Sequence, residues 1–222
     1  MKLSLTIPEN LNEIKLSTFI QLVNLFNNAE DDHELVVKIK AVSIALGISL
    51  EDTVKIPAFE LNEIFEGIAQ MMNQKPKLQP VINVNGKEYG FIPDMEELKT
   101  NEYLDLTIYY GTDILKTTAI LYRPVKQKIK TLYSIEDYKG TKDCEIYNDF
   151  PASAYVSCML FFYNLMNDLL KTFPQSLEKR ITEKQKEVLE QNGVGISQLI
   201  SSLEEIASSM TTLPGSSQST NF

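Results

Sequence analysis

At 222 residues the chain is long enough to bury a core as one large domain or two small ones, hiding roughly 70% of the surface its unfolded form exposes. A formal charge of −9 and a pI near 4.8 repel a phosphate backbone, whose hold on proteins comes largely from Lys and Arg, so a dedicated nucleic-acid binder is disfavoured. Cys144 and Cys158 lie in unlike surroundings, one polar and one apolar. That suits neither a disulfide framework nor a zinc knuckle, and both read as ordinary thiols of a reducing compartment.

In chain order, Leu3, Leu5 and Ile7 alternate with polar residues, so residues 2–7 read as a half-buried strand ended by Pro8. This start is too short and too regularly alternating for the apolar core of a signal peptide, so the chain is expected to be made in cytoplasm and kept there until something assembles it elsewhere. Ser17 is expected to cap a short helix with Phe19, Leu22, Val23, Leu25 and Phe26 on its apolar face. A second helix runs from Asp31 to Leu46, acidic at its start and closed by Gly47. Ser49-Leu50-Glu51-Asp52 opens a helical turn that stops before Pro57, and Pro57 suits the first turn of a helix reaching about Met72.

The period then changes. Val81, Ile82 and Val84, followed by Tyr89, Phe91 and Ile92, flank Asn85-Gly86, the strongest short-range hairpin signal a sequence offers. The N-terminal strand is the natural third member of that sheet, because an isolated two-stranded hairpin is marginal in water. Helical signals return at Met95 to Leu98, at Thr100 to Tyr109 with Thr100 as cap, and at Thr112 to Tyr122, ending near Arg123 because Pro124 follows. The fold expected is α+β: mostly helical, with a small antiparallel sheet made of the N-terminal strand and the Asn85-Gly86 hairpin.

From Val125 to Asp149 the chain mixes Lys126, Lys128 and Lys130 with Tyr133, Tyr138 and Tyr147. This reads either as a solvated connection or as a docking arm, a basic and Tyr-rich strip for an acidic partner. With Arg123 at its head it makes up the candidate interface, since Tyr and Arg are favoured at interface centres. From Pro151 to Phe173 apolar residues cover every face of a helix. Its run Tyr155 to Leu170 is broken by Asn164, Asn167 and Asp168, which makes it a core helix and not a membrane span. After Pro174, residues 176–191 form a charged amphipathic helix closed by Gly193 and Gly195, and 196–210 form a weaker one. Pro214 to Asn221 has the composition of a disordered tail. The domains expected are 1–125 with the hairpin, 126–150 as connection or arm, 151–210 as a helical region and 211–222 as tail.

No chemistry-bearing pattern emerges. The chain has one His, His33, in the acidic start of the second helix, where it reads as a surface residue. Asp31-Asp32 lacks the alternate spacing of a calcium loop, and no phosphate-cradling glycine motif occurs. The neighbouring pairs Glu96-Glu97 and Glu204-Glu205 point about 100° apart on a helix and read as solvated. The expectation is therefore a non-enzyme with no catalytic residue, no metal site and no cofactor.

One wider pattern remains. A short helix at Leu16 to Asn27 and a Lys-rich helix ending in Gly47 lead to a one-turn segment before Pro57 and a helix to Met72. The hairpin Val81 to Ile92, a loop with Asp94, the run Thr100-Asn101-Glu102-Tyr103-Leu104-Asp105-Leu106 and the helix end Leu121-Tyr122-Arg123-Pro124 follow. This order resembles proteins from the structural modules of tailed bacteriophages, notably crAss-like phages and relatives from Bacteroides-type hosts. The likeness covers about half of the chain, and Asn101 departs from it where Gly is commoner. Under it, Thr100 and Glu102 cap a helix, Tyr103, Leu104 and Leu106 fill a core, and Arg123 anchors near the last helical carbonyls.

The resemblance implies a virion component near the portal: a neck or tail ring subunit, or a cargo protein, contacting the portal and neighbouring tail or ring proteins. A homo-oligomeric ring is implied, without membrane or sequence-specific nucleic acid. A tail assembly chaperone absent from the mature particle is the alternative, and a non-viral helical adaptor a second one.

Overall fold

The structure, a computed structural model, describes residues 7–29, 33–95 and 97–164. The chain divides into two units, Met1–Cys158 and Met159–Phe222. The expected strand before Ile7, the start of the second helix at 30–32, Glu96, the continuation of the apolar helix beyond 164, the helices at 176–191 and 196–210 and the tail all lie outside the described residues.

Helix α1 spans Leu16–Asn27 and buries Leu16, Phe19 and Leu22. Ser17 is not its cap. Lys15 holds the cap position without a side-chain bond, and the Leu16 amide donates instead to the Phe150 carbonyl at 2.7 Å. A tertiary carbonyl thus satisfies a group that a hydroxyl would otherwise take. Helix α2, Glu34–Leu46, begins at His33, whose Nδ1 accepts from the Leu35 amide at 3.2 Å. It ends at Gly47, left-handed at φ 63°, a conformation glycine adopts without the Cβ penalty. Helix α3, Leu50–Thr53, is capped reciprocally: Ser49 Oγ accepts from the Asp52 amide and donates to the Asp52 carboxylate. Helix α4, Ala58–Met72, follows Pro57 and buries Leu61, Ile68 and Met71. It packs on α2, which packs on α1, and Phe26 meets Phe65 edge-on across this layer.

The sheet is antiparallel in the order β1-β2-β3-β4. Strands β1 (Val81–Val84) and β2 (Lys87–Phe91) turn through Asn85 and Gly86, both with positive φ, as the tightest hairpins require. The place beside β2 is taken by β3 (Tyr122–Ile129), with Tyr89 opposite Pro124 and Phe91 opposite Tyr122. Helix α5, Thr100–Tyr109, has the predicted bounds, but Thr100 is its first residue and Lys99 its cap position. Of the helix expected at Met95 to Leu98, the described residues Met95, Glu97 and Leu98 are not helical. Helix α6, Ile114–Leu121, stops one residue short of expectation, because Tyr122 is already a strand residue. Pro124 bars helical backbone at Arg123, and the Leu121 carbonyl accepts from Ile92 across the sheet end.

Aromatic rings fill the space between sheet and helices. Phe150 is fully buried, 4.8 Å from the Tyr89 ring and 4.6 Å from the Tyr147 ring, and Tyr122 stands 5.7 Å from Phe91. Such pairs contribute about 0.5–1.5 kcal/mol each beyond their area. The hydroxyls are matched: Tyr122 donates to the Gln79 carbonyl at 2.6 Å and Tyr147 to the Tyr122 carbonyl at 2.8 Å. A 3-10 turn at Glu145–Asp149 leads into a helix starting at 152. The amides of Ala152 and Ser153 tie its first turn to Ile14 and Leu11. Gln74 fastens the same N-terminal segment from below α4, accepting from the Leu11 amide and donating to the Glu9 carbonyl.

Burial holds the Tyr122 and Tyr147 phenols and the Cys158 thiol protonated well above their ordinary range. A neutral acid raised in the folded state contributes stability that is complete below its unfolded value and lost as pH rises. These groups should therefore leave the urea midpoint unchanged from neutral pH to pH 9.0 and lower it steadily above pH 10.0, the ordinary values of Cys and Tyr. A midpoint unchanged through that range would contradict the burial of these groups.

Candidate interaction surface

The segment expected to be either a solvated connection or a docking arm is built into the first unit. After β3 the chain turns at Lys130-Thr131 into β4 (Leu132–Ile135). Lys130 carries the left-handed conformation at φ 55°. Strand β3 pairs with β2 only through Pro124, so beyond it β3 and β4 form a two-stranded arm. A bulge between Val125 and Gln127 interrupts the register, and bulges bend and twist the strand that carries them. The arm folds back: Tyr133 donates to the Phe91 carbonyl at 2.8 Å. A Cβ built on Gly90 would lie 2.5 Å from the Tyr133 ring and 2.8 Å from Ile135. Gly90→Ala should cost about 1–3 kcal/mol, the range for overpacking a filled site. A urea melt checks this, and Tyr133→Ala in the same chain should recover part of the loss.

The seven candidate interface residues separate into three groups. Arg123 and Tyr147 are buried, which corrects their reading as contact residues. Tyr133 and Tyr138 are half-buried and already bonded within the chain. Lys126, Lys128 and Lys130 are exposed on the arm, Lys128 pairing with Glu88. Exposed beside them are two residues that charge patterning overlooked, Ile129 at 73% and Leu132 at 77%.

Arg123 reaches Glu102 of α5 through two hydrogen bonds, at 3.0 and 3.4 Å, with side chains 10% and 4% exposed. Its Nε is buried and meets no acceptor. It therefore pairs with a carboxylate and does not cap the end of its own helix, and Glu102 is a partner in a buried pair and not a helix cap. Tyr138 lays its ring against the Arg123 guanidinium at 6.0 Å and donates to Asp105 at 2.6 Å, while Lys99 pairs with Asp137 at 2.7 Å. These contacts set the face of α5 that turns inward. Glu102 is its one buried residue, whereas Tyr103, Leu104 and Ile108 are exposed. The expectation that Tyr103 and Leu104 fill a core is overturned, and Leu106 is half-buried. The buried ion pair, made across 21 positions of sequence, outweighs the local apolar pattern.

Among the described residues no group of three His, Cys, Asp or Glu is placed to hold a metal ion, and no helix is long and apolar enough to cross a membrane. A shallow cleft of about 440 Å³ is lined by Asn12 and residues 74–79. Its lysines and amides include no nucleophile paired with a base. No family model, curated protein or solved structure matches the chain.

Proposed function

We propose that the chain is a non-enzymatic structural component of a tailed bacteriophage particle, a portal-proximal neck or tail ring subunit or a cargo protein that acts through protein–protein contacts. The observation that carries this reading is the arm: a two-stranded ribbon that leaves Ile129 and Leu132 in solvent between lysines. Two-stranded ribbons are marginal alone, and exposed apolar residues set among charges are what an assembling surface offers. The order of features from Leu16 to Pro124 supplies the phage setting. The net charge of −9 suits a subunit beside a DNA conduit, which must not grip the nucleic acid.

The same charge suits a tail assembly chaperone, for which the uncovered Tyr103, Leu104 and Ile108 on α5 would meet an apolar client. Quantifying the polypeptide by mass spectrometry in purified particles, against the portal subunit, separates the two. A near-integer ratio supports the virion component. Absence from particles with abundance in the infected-cell lysate supports the chaperone. A chain that enters no particle and binds no tail protein overturns both and leaves a non-viral adaptor.

A further inference from the structure

We propose that the β3–β4 arm is one half of a head-to-tail contact between copies of this chain, and that the other half is the exposed corner where α3 leads into α4. The inference rests on the reading of the chain as an assembling subunit, but it requires no particular particle.

The two surfaces are complementary in kind. Between Val125 and Ile135 the arm carries Lys126, Lys128 and Lys130 and no acid, a charge of +3 on a chain of −9; Lys128 pairs with Glu88 of β2, so Lys126 and Lys130 carry most of the basic excess. Its apolar residues Ile129 and Leu132 are exposed. At the corner Leu50, Val54 and Phe59 are exposed, Phe59 at 72%. Around them stand Glu51, Asp52, Glu60 and Glu63 against the single Lys55, four acids less one base, or −3. Lys55 pairs with Glu51 and Asp52, so Glu60 and Glu63 carry two of these three negative charges.

Copies of so acidic a chain repel one another on average, and an attractive encounter must bring together regions of opposite sign. The arm and the corner are such regions, and each brings apolar side chains whose mutual burial stabilises the contact. Both lie in the unit Met1–Cys158, so every copy has one of each. A contact between two different patches is heterologous. It closes into a ring when the rotation per copy allows it and otherwise runs on as a filament.

The test uses the purified full chain in sedimentation equilibrium, compared with an arm variant (Lys126→Glu with Lys130→Glu) and a corner variant (Glu60→Lys with Glu63→Lys). All four positions are exposed, and circular dichroism verifies that the variants fold. The wild type is expected to self-associate, and each variant to weaken association by roughly tenfold or more, as does raised salt. Mixing the two variants should restore association, because each then meets a surface of opposite charge. Ile129→Ser, which changes no charge, should weaken it as well.

A wild type that stays monomeric to roughly 100 μM overturns the proposal. So does a corner variant that associates like the wild type, which would mean that arm meets arm. An arm variant that loses incorporation into particles while the wild type is monomeric overturns it in favour of a different acidic partner. Self-association as expected, together with absence from particles, leaves this contact standing and removes the virion reading instead.

Discussion

Phe150→Ala is expected to cost about 3–5 kcal/mol of folding free energy, the range for removing a buried aromatic ring from a core. Phe150 is inaccessible to solvent and is touched by the rings of Tyr89, Tyr122 and Tyr147. Two of those rings are held by hydroxyl bonds, Tyr122 to Gln79 and Tyr147 to Tyr122, so they cannot move far to fill the void. The same residue's carbonyl receives the Leu16 amide at the start of α1. Loosening it should therefore be felt at both sheet and helix. Urea denaturation gives the free energy, and amide exchange should show Leu16 losing protection together with the Tyr122 region. A loss under about 1 kcal/mol would mean that the site collapses around the deletion and that the aromatic cluster is not a rigid core.

Arg123→Met should be comparably damaging, at about 3–5 kcal/mol, because it strands the Glu102 carboxylate in a site where that side chain is 4% exposed. The double variant Arg123→Met with Glu102→Leu should recover most of the loss. The native pair already leaves Arg123 Nε buried without an acceptor, and apolar side chains of similar volume in place of a buried pair are often neutral or stabilising. A double-mutant cycle measures the coupling. Additive effects would show that Glu102 and Arg123 do not act as a pair. The single variant should also loosen α5, which would keep the Lys99–Asp137 pair, the Tyr138–Asp105 bond and the Thr117 hydroxyl on the Tyr109 carbonyl.

Features written in a few neighbouring residues were legible from the chain alone. Gly47 after α2, the Ser49–Asp52 cap, Asn85-Gly86 with both residues at positive φ and the bounds of α5 all follow from backbone preferences that act within a turn. The arm was only half legible. Lys126, Lys128 and Lys130 recur at every second position and Leu132 to Ile135 follows, which is a strand period. The turn between them, Lys130-Thr131, lacks the Asn-Gly chemistry that announces a hairpin, and so the lysines read as solvated charge.

What the chain by itself determined is therefore the α+β character, the acidic balance, most helix ends and the first hairpin, since each is set by local sterics, capping or summed charge. Only the tertiary structure decided that β3 flanks β2, that Phe150 and not Ser17 completes the start of α1, and that α5 turns Glu102 inward and Tyr103 and Leu104 outward. The physical reason is common to all three. Each depends on a partner distant in the chain, and a buried carboxylate or amide takes whichever group the fold brings within hydrogen-bond reach, whatever the pattern of its neighbours.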